Sequence, residues 1–409
     1  MKAYERLLKY ASFRTPSAED GEGTPSTPEQ HALASYLAEE LKELGLTDVL
    51  ADGHAYVYGR LPATPGCEGC TPVGFIAHID TVAVPAGAQT RPAIVKNYDG
   101  GDVPLGLSGL TLSPAMFPHL RELAGEDLIV TDGTTVLGAD DKAGVAEIVT
   151  AVERLIAEGT PHGEIDVCFT PDEEIGHGAA LLDLERFGAK VAYTVDGADM
   201  AEIENETFNA AAAKWEIRGV EVHPGSAKGV MVNAALIAAE IVSALPADET
   251  PGMTEGREGF YHLCGMQADV GHAALAYIVR DHDRAKFEAR KEAMRALERT
   301  VNEKYGPGTA RLTLRDQYYN MAEVLKDFPE VLEKAEAAIR ACGLEPVYCP
   351  IRGGTDGSQL SFRGLPCPNL GTGGFAFHGP YEHITVQRMD RMTEILLGVA
   401  AQYARCDTP

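Results

Sequence analysis

Four apolar runs in the first half of this chain stop at an acid or an imidazole. Val73-Gly74-Phe75-Ile76-Ala77 stops at His78-Ile79-Asp80, and Ile165-Asp166-Val167-Cys168-Phe169-Thr170 runs into Pro171-Asp172-Glu173-Glu174. Val191-Ala192-Tyr193-Thr194-Val195 stops at Asp196-Gly197, and a run over residues 127–131 leads to Gly138-Ala139-Asp140-Asp141. Apolar runs of this length bounded by turn residues read as strands buried on both faces, the signature of a parallel sheet. In an open α/β sheet the carboxyl ends of the strands form the crevice where ligands bind. Acids gathered there repel one another more strongly as water is excluded, and bound divalent cations would remove that cost.

Each motif also has a plainer reading. The stretch Leu137-Gly138-Ala139-Asp140-Asp141-Lys142-Ala143-Gly144 precedes Val145, Ile148, Val149, Val152 and Ile156, the three-and-four spacing of a helix with one buried stripe. An Asp there serves equally as a helix N-cap. His78 and Asp80 share one face of extended backbone, so both point into one site, although a histidine at a strand end also serves as a structural hydrogen-bonder. Glu173 and Glu174 point in opposite directions: one can ligate while the other faces a water, or both belong to a solvated turn.

Composition narrows the partners. With 61 acidic against 35 basic residues and a formal charge of -26, the chain would be repelled by nucleic acid or an anionic membrane. The start, Met1-Lys2-Ala3-Tyr4-Glu5-Arg6-Leu7-Leu8, reads as a charged amphipathic helix rather than a signal, and no run approaches 18 apolar residues. A cytoplasmic protein is expected. The eight cysteines are scattered, which points to reduced thiols. Only Cys67-Glu68-Gly69-Cys70 has ligand-like spacing, and without a second pair it reads as an exposed loop with two thiols.

Along the chain, Thr27-Pro28-Glu29-Gln30 predicts a capping box and a helix over residues 28–44. Residues 85–126, rich in Gly and Pro, read as a long irregular excursion. From about Phe208 the pattern changes: a strand over 215–220, the turn Val222-His223-Pro224-Gly225, a helix over 233–245, a strand over 274–280, a helix over 283–305 and a strand over 310–314. Helix and turn signals of the first kind resume near Phe328. The expected fold is α/β, an open mixed sheet flanked by helices, with an inserted α+β lid. The expected division is 1–207 and 321–409 for the catalytic domain and 208–320 for the lid.

Taken together, His78-Ile79-Asp80, Gly138-Ala139-Asp140-Asp141, Asp172-Glu173-Glu174-Ile175-Gly176, Asp196-Gly197 and His378-Gly379 resemble the two-zinc amidohydrolase family that includes carboxypeptidase G and the aminoacylases. Val222-His223-Pro224-Gly225, Lys228-Gly229 and Arg352-Gly353-Gly354-Thr355-Asp356 are most similar to its tripeptide-aminopeptidase branch. The resemblance implies two Zn2+ ions per subunit and a metallopeptidase that releases the N-terminal residue of short peptides. Asp140 would bridge the ions, with His78 and Asp196 completing one position and Glu174 and His378 the other. Glu173 would be the general base, and Asp80 would orient His78. His223, Arg280 and Arg352 would bind substrate from the lid, and a homodimer through the lid is compatible with the pattern. A cis peptide between Asp140 and Asp141 is also implied. His383 is the rival of His378. The alternatives are a sister dipeptidase or N-acyl amino acid hydrolase, and an inactive metal-binding protein of the same fold.

Overall fold

The computed structural model describes residues 1–405. Its largest sheet orders its strands Thr47–Ala51, Val57–Leu61, Ile165–Thr170, Val73–His78, Val191–Gly197, Asn369–Gly371, Glu202–Glu206 and Val347–Pro350. Ile165–Thr170, Val73–His78, Val191–Gly197 and Asn369–Gly371 run parallel, and antiparallel neighbours flank them, so the sheet is mixed. Alternate residues feed opposite faces. Phe75 and Ala77 enter the larger core beneath the Ala139–Glu158 and Val386–Tyr403 helices, while Ile76 joins Tyr56, Cys168, Phe187 and Leu360 on the other side.

Register makes the parallel strand ends level. His78 pairs with Thr170, Ile76 with Thr194 and Gly371 with Gly197, so His78, the turn after Thr170 and Asp196 emerge at one edge. The Ala139–Glu158 helix brings its N-terminus to the same place by packing on Val73–His78 and Val191–Gly197. Gly144 permits that approach, because a Cβ there would lie 2.0 Å from the Val195 carbonyl oxygen. Along this helix Val145, Ile148, Val149 and Val152 are buried as expected, whereas Ile156, near the C-terminal end, is exposed.

Several expectations change. The run before Asp140 forms a strand only over Leu128–Val130, and it pairs with Ala93–Val95 and His383–Thr385 in a separate three-stranded sheet. Asp140 therefore arrives from a helix start, not from a strand end of the main sheet. The excursion over 85–126 is ordered around its own apolar cluster, which includes Tyr98, Leu105, Leu112, Leu120 and Leu123. The capping box at residue 27 does not form: the helix runs Gln30–Glu43 without a side-chain cap, and Gln30 Nε2 donates to Asp172 Oδ1 at 2.7 Å instead. The loop is exposed at Gly66, Glu68 and Gly69 as expected, but its two cysteines are buried, and Cys67 is a free thiol while Cys70 is disulfide-bonded, so it does not present a pair of thiols.

The chain divides into two units. The first comprises Met1–Asn205, Glu323–Cys349 and the segment beginning at Thr355; the second comprises Glu206–Ala322 and Pro350–Gly354. The second unit is a four-stranded antiparallel sheet, ordered Phe260–Ala268, His272–Asp281, Asn209–Arg218 and Ala310–Tyr318, with the Ala234–Ala244 and Arg284–Tyr305 helices packed on one face. Trp215, Ile237, Ile241, Leu275, Phe287 and Met294 fill its core. Asn233 and Asp283 cap the two helices through their carboxyl or amide oxygens. Phe260–Ala268 is a strand that the sequence reading missed; it is mostly exposed and its register shifts beside Gly265, so no alternation marks it. Among the described residues, no helix is long and apolar enough to cross a membrane.

Candidate metal centre

Asp140 is gripped from both sides. Its Oδ1 lies 2.9 Å from His78 Nε2 and its Oδ2 lies 2.9 Å from His378 Nε2. Asp196 Oδ1 is 3.3 Å from the same His78 nitrogen, and Glu174 Oε2 is 3.0 Å from the same His378 nitrogen. Two triads thus share one carboxylate: His78, Asp140 and Asp196, then His378, Asp140 and Glu174. The structure brings together all five expected ligand residues. His383, the rival of His378, lies elsewhere: it is buried, its Nδ1 faces the Tyr381 carbonyl oxygen at 2.7 Å, and its Nε2 faces His119 Nε2 at 2.9 Å.

The backbone explains how neighbours diverge. Asp172 adopts a left-handed conformation, φ 57°, and turns the chain into a short 3-10 helix that carries Glu173 and Glu174. Asp172 is held by the Ser26 amide, the Ser26 hydroxyl and the Gln30 amide group, at 2.7, 2.6 and 2.7 Å. Asp80 clamps the other side of the turn, accepting from the Glu173 and Glu174 amides at 3.0 and 3.2 Å. Its carboxylate is 3.4 Å from His78 Nδ1, which lies closer, 3.1 Å, to the Asp80 carbonyl oxygen. Asp80 therefore orients the glutamate turn at least as directly as it orients the imidazole. Glu174 Oε1 accepts from the Val82 amide at 3.1 Å, which aims Oε2 at His378. The Asp140–Asp141 peptide is cis. Asp141 spends its oxygens on the His78 and Gly144 amides, at 3.1 and 3.2 Å, so it buttresses the site from beneath.

The electrostatics fit a cation site. Burial opposes charge on His78, but Asp196 and hydrogen bonds to Asp140, Asp196 and Asp80 raise its pKa well above the usual imidazole range. Hydrogen bonds to Asp140 and Glu174 push His378 up to about 10. Asp140 is lowered despite its burial, through His378 and His78. Burial pushes Asp196 up to about 7 and raises Glu174. Imidazole–carboxylate contacts hold together carboxylates that otherwise repel, which is the task of a divalent cation when carboxylate and imidazole ligands converge. Ligand atoms of His78, Asp140 and Glu174 lie within 4.8 Å of one another, as do those of His78, Asp141 and Asp196. These two groups share His78, whereas the two ion-paired triads share Asp140; imidazole and carboxylate donors of this kind suit two borderline cations. Glu173 makes no part of either group, and burial together with Asp196 raises its carboxyl well above the usual range.

The expected substrate residues lie in the second unit. His223 is exposed at a turn, where its Nδ1 accepts from the Gly225 amide at 3.1 Å. Arg280 lies over the Tyr318 ring and Arg352 over Phe208 and Phe260. Arg352 also donates to the Gly256 and Glu258 carbonyl oxygens and to the Thr254 hydroxyl, at 2.9, 3.0 and 2.8 Å. Sequence reasoning missed the supporting roles of Asp141 and of the Ser26–Gln30 contacts to Asp172; only adjacency to the motifs hinted at the first, and nothing local signals the second.

Comparison with known proteins agrees with this geometry. Residues 205–309 match the family model described as the peptidase dimerisation domain. The aminopeptidase PepT of Bacillus cereus superposes with a TM-score of 0.78 at 25% identity, covering 99% of this chain and 98% of that one. A dinuclear metal-binding peptidase of the M20 family from Bacillus subtilis superposes with a TM-score of 0.64 at 15% identity, covering 98% of each chain, a likeness of fold. A curated peptidase T of Clostridium perfringens is 51% identical over 405 residues, which is 98% of this chain and 99% of that protein. With the shared fold, the converging ligands and half of all positions identical from end to end, the chain belongs to the peptidase T family.

Proposed function

We propose that the chain is a two-zinc aminopeptidase that releases the N-terminal residue of short peptides, tripeptides above all. The reading rests on the shared Asp140 carboxylate, with an imidazole 2.9 Å from each oxygen, beside a half-buried Glu173 that belongs to neither ligand group. His78 and Asp196 would hold one ion, His378 and Glu174 the other, and Asp140 both. When bound, the ions supply Lewis acidity that polarises a peptide carbonyl and acidifies a water.

The chain's own groups do the rest. Glu173 takes the proton of the attacking water and passes it to the leaving amine, a role that favours a carboxyl with a raised pKa. Asp80 and Asp172 hold the turn that aims it. Residues 208–320 act as the lid in this reading. His223 stabilises the developing oxyanion from an exposed tip, and Arg280 and Arg352 bind the peptide carboxylate, for which the planar guanidinium is suited. The peptidase dimerisation match supports a homodimer through the same unit.

A sister activity on dipeptides or N-acyl amino acids would use the same ions with another pocket. Turnover of a tripeptide, its N-acetylated form and an N-acyl amino acid separates these. Hydrolysis of the free tripeptide alone is the expected result. Preference for either acylated substrate would overturn the aminopeptidase reading.

A further inference from the structure

Glu382 belongs to no ligand set, yet its carboxylate lies at the root of one. It is 1% exposed. Its Oε2 accepts from the Gly138 amide at 2.8 Å and its Oε1 from the Asp140 amide at 2.9 Å. Amides at a helix start have no intrahelical acceptor. Asp140 and Asp141 depart from helical φ and ψ, so the Gly138 and Asp140 amides stand ahead of the regular helix, whose own first-turn Gly144 amide is served by Asp141, and they find no acceptor within it. The acceptor comes instead from 242 residues further along the chain. Lys142 is also buried, which lowers its pKa to about 8 against the opposing charges of Glu382 and Asp80, and its Nζ donates to the Phe13 carbonyl oxygen at 2.8 Å.

The same short segment delivers His378. Residues 378 and 382 therefore hold Asp140 at both ends, His378 at the carboxylate and Glu382 at the backbone amide. A bridging carboxylate must present two oxygens to two positions at once, so its backbone has little tolerance. Ligand distances in such sites hold to about 0.2 Å.

Building on the two-cation reading, we propose that Glu382 is a positioning residue for the bridging carboxylate. It fixes the Asp140 backbone so that Oδ1 and Oδ2 face His78 and His378 together, and thereby sets the affinity of the cation shared with His378 and Glu174. A residue that merely caps the helix would affect stability and leave cation affinity alone.

Glu382→Gln and Glu382→Asp test this. The first keeps the shape but turns an amide donor toward a backbone amide; the second keeps the charge but shortens the reach. Binding of Zn2+ is titrated against a competing chelator, alongside thermal unfolding of the chelator-treated protein and kcat and KM on a tripeptide. The expected result is that one of the two bound ions loses about 10–100-fold in affinity, the range found when groups behind metal ligands are removed. At limiting Zn2+, kcat should fall with KM little changed, and excess Zn2+ should restore much of it. Two ions bound at the unsubstituted affinity, whatever the unfolding temperature, would make Glu382 a helix cap and overturn the proposal. If the glutamine variant does not fold, the aspartate variant decides by the same titration. Fewer than two ions in the unsubstituted protein would overturn the two-cation reading itself, a result read without any variant.

Discussion

Glu173→Gln isolates proton transfer from everything else in the site. The Glu173 and Glu174 amides donate to Asp80 at 3.0 and 3.2 Å, and Asp172 is tied to Ser26 and Gln30, so the turn does not depend on the Glu173 carboxyl. That carboxyl is also outside both groups of converging ligand atoms. The variant should therefore keep both cations and the fold. Loss of a general base lowers kcat by about 10²–10⁴. At roughly 1.4 kcal/mol per tenfold, this is about 3–5 kcal/mol of transition-state stabilisation. The upper end is expected, because burial and the negative charges of Asp196, Asp356 and Asp80 keep this carboxyl basic. Initial rates on a tripeptide give kcat and KM separately, and elemental analysis gives the metal content. A kcat within tenfold of the unsubstituted enzyme, with both ions present, would refute the general-base role. Loss of one ion would instead make Glu173 a ligand.

Three further outcomes are expected. Chelation should abolish activity and lower the unfolding temperature, since a ligand bound only by the folded state at 1,000 times its Kd stabilises by about 4 kcal/mol; an unchanged melting curve would contradict a structural contribution from the ions. His223→Ala should lower kcat on a tripeptide by roughly 10²–10³ with KM little changed, as for loss of one oxyanion donor, and a raised KM with unchanged kcat would assign His223 to ground-state binding. Burial lowers His383 from 6.5 to about 4, so its contribution to stability is present above pH 6.5 and is lost as pH falls toward 4, amounting to about 3 kcal/mol; His383→Asn should flatten the denaturation-midpoint profile over that window, and parallel profiles would refute the assignment.

The parallel core was legible because its strands are buried on both faces and read as unbroken apolar runs. The second unit was legible only in part. Its helices announce themselves through Asn233 and Asp283, but Phe260–Ala268 is an edge strand, largely exposed and interrupted at Gly265, and a segment that buries so little carries no apolar period. The Leu128–Val130 strand was read correctly as a strand and placed in the wrong sheet. Three residues specify extended backbone without specifying a neighbour, and pairing with Ala93–Val95 and His383–Thr385 depends on contacts from distant parts of the chain.

The same contrast runs through the site. Its ligand residues stand at the ends of apolar runs or in glycine-marked turns, so chemistry and position coincide in the sequence. The groups that aim them do not. Gln30 looks like part of a capping box because Thr27 precedes it by three, yet a buried Asp172 competes for its amide, and a charge-assisted hydrogen bond outweighs a neutral cap. Glu382 sits between Tyr381 and His383 with no motif of its own, and its partners are the Gly138 and Asp140 amides in the non-helical turn ahead of the regular helix. Amides of a buried turn that leads into a helix need an acceptor that the helix cannot give, so some side chain from elsewhere must supply the oxygen. Which one supplies it follows from the fold, since the strand that returns beside Leu128–Val130 carries Glu382 just before it.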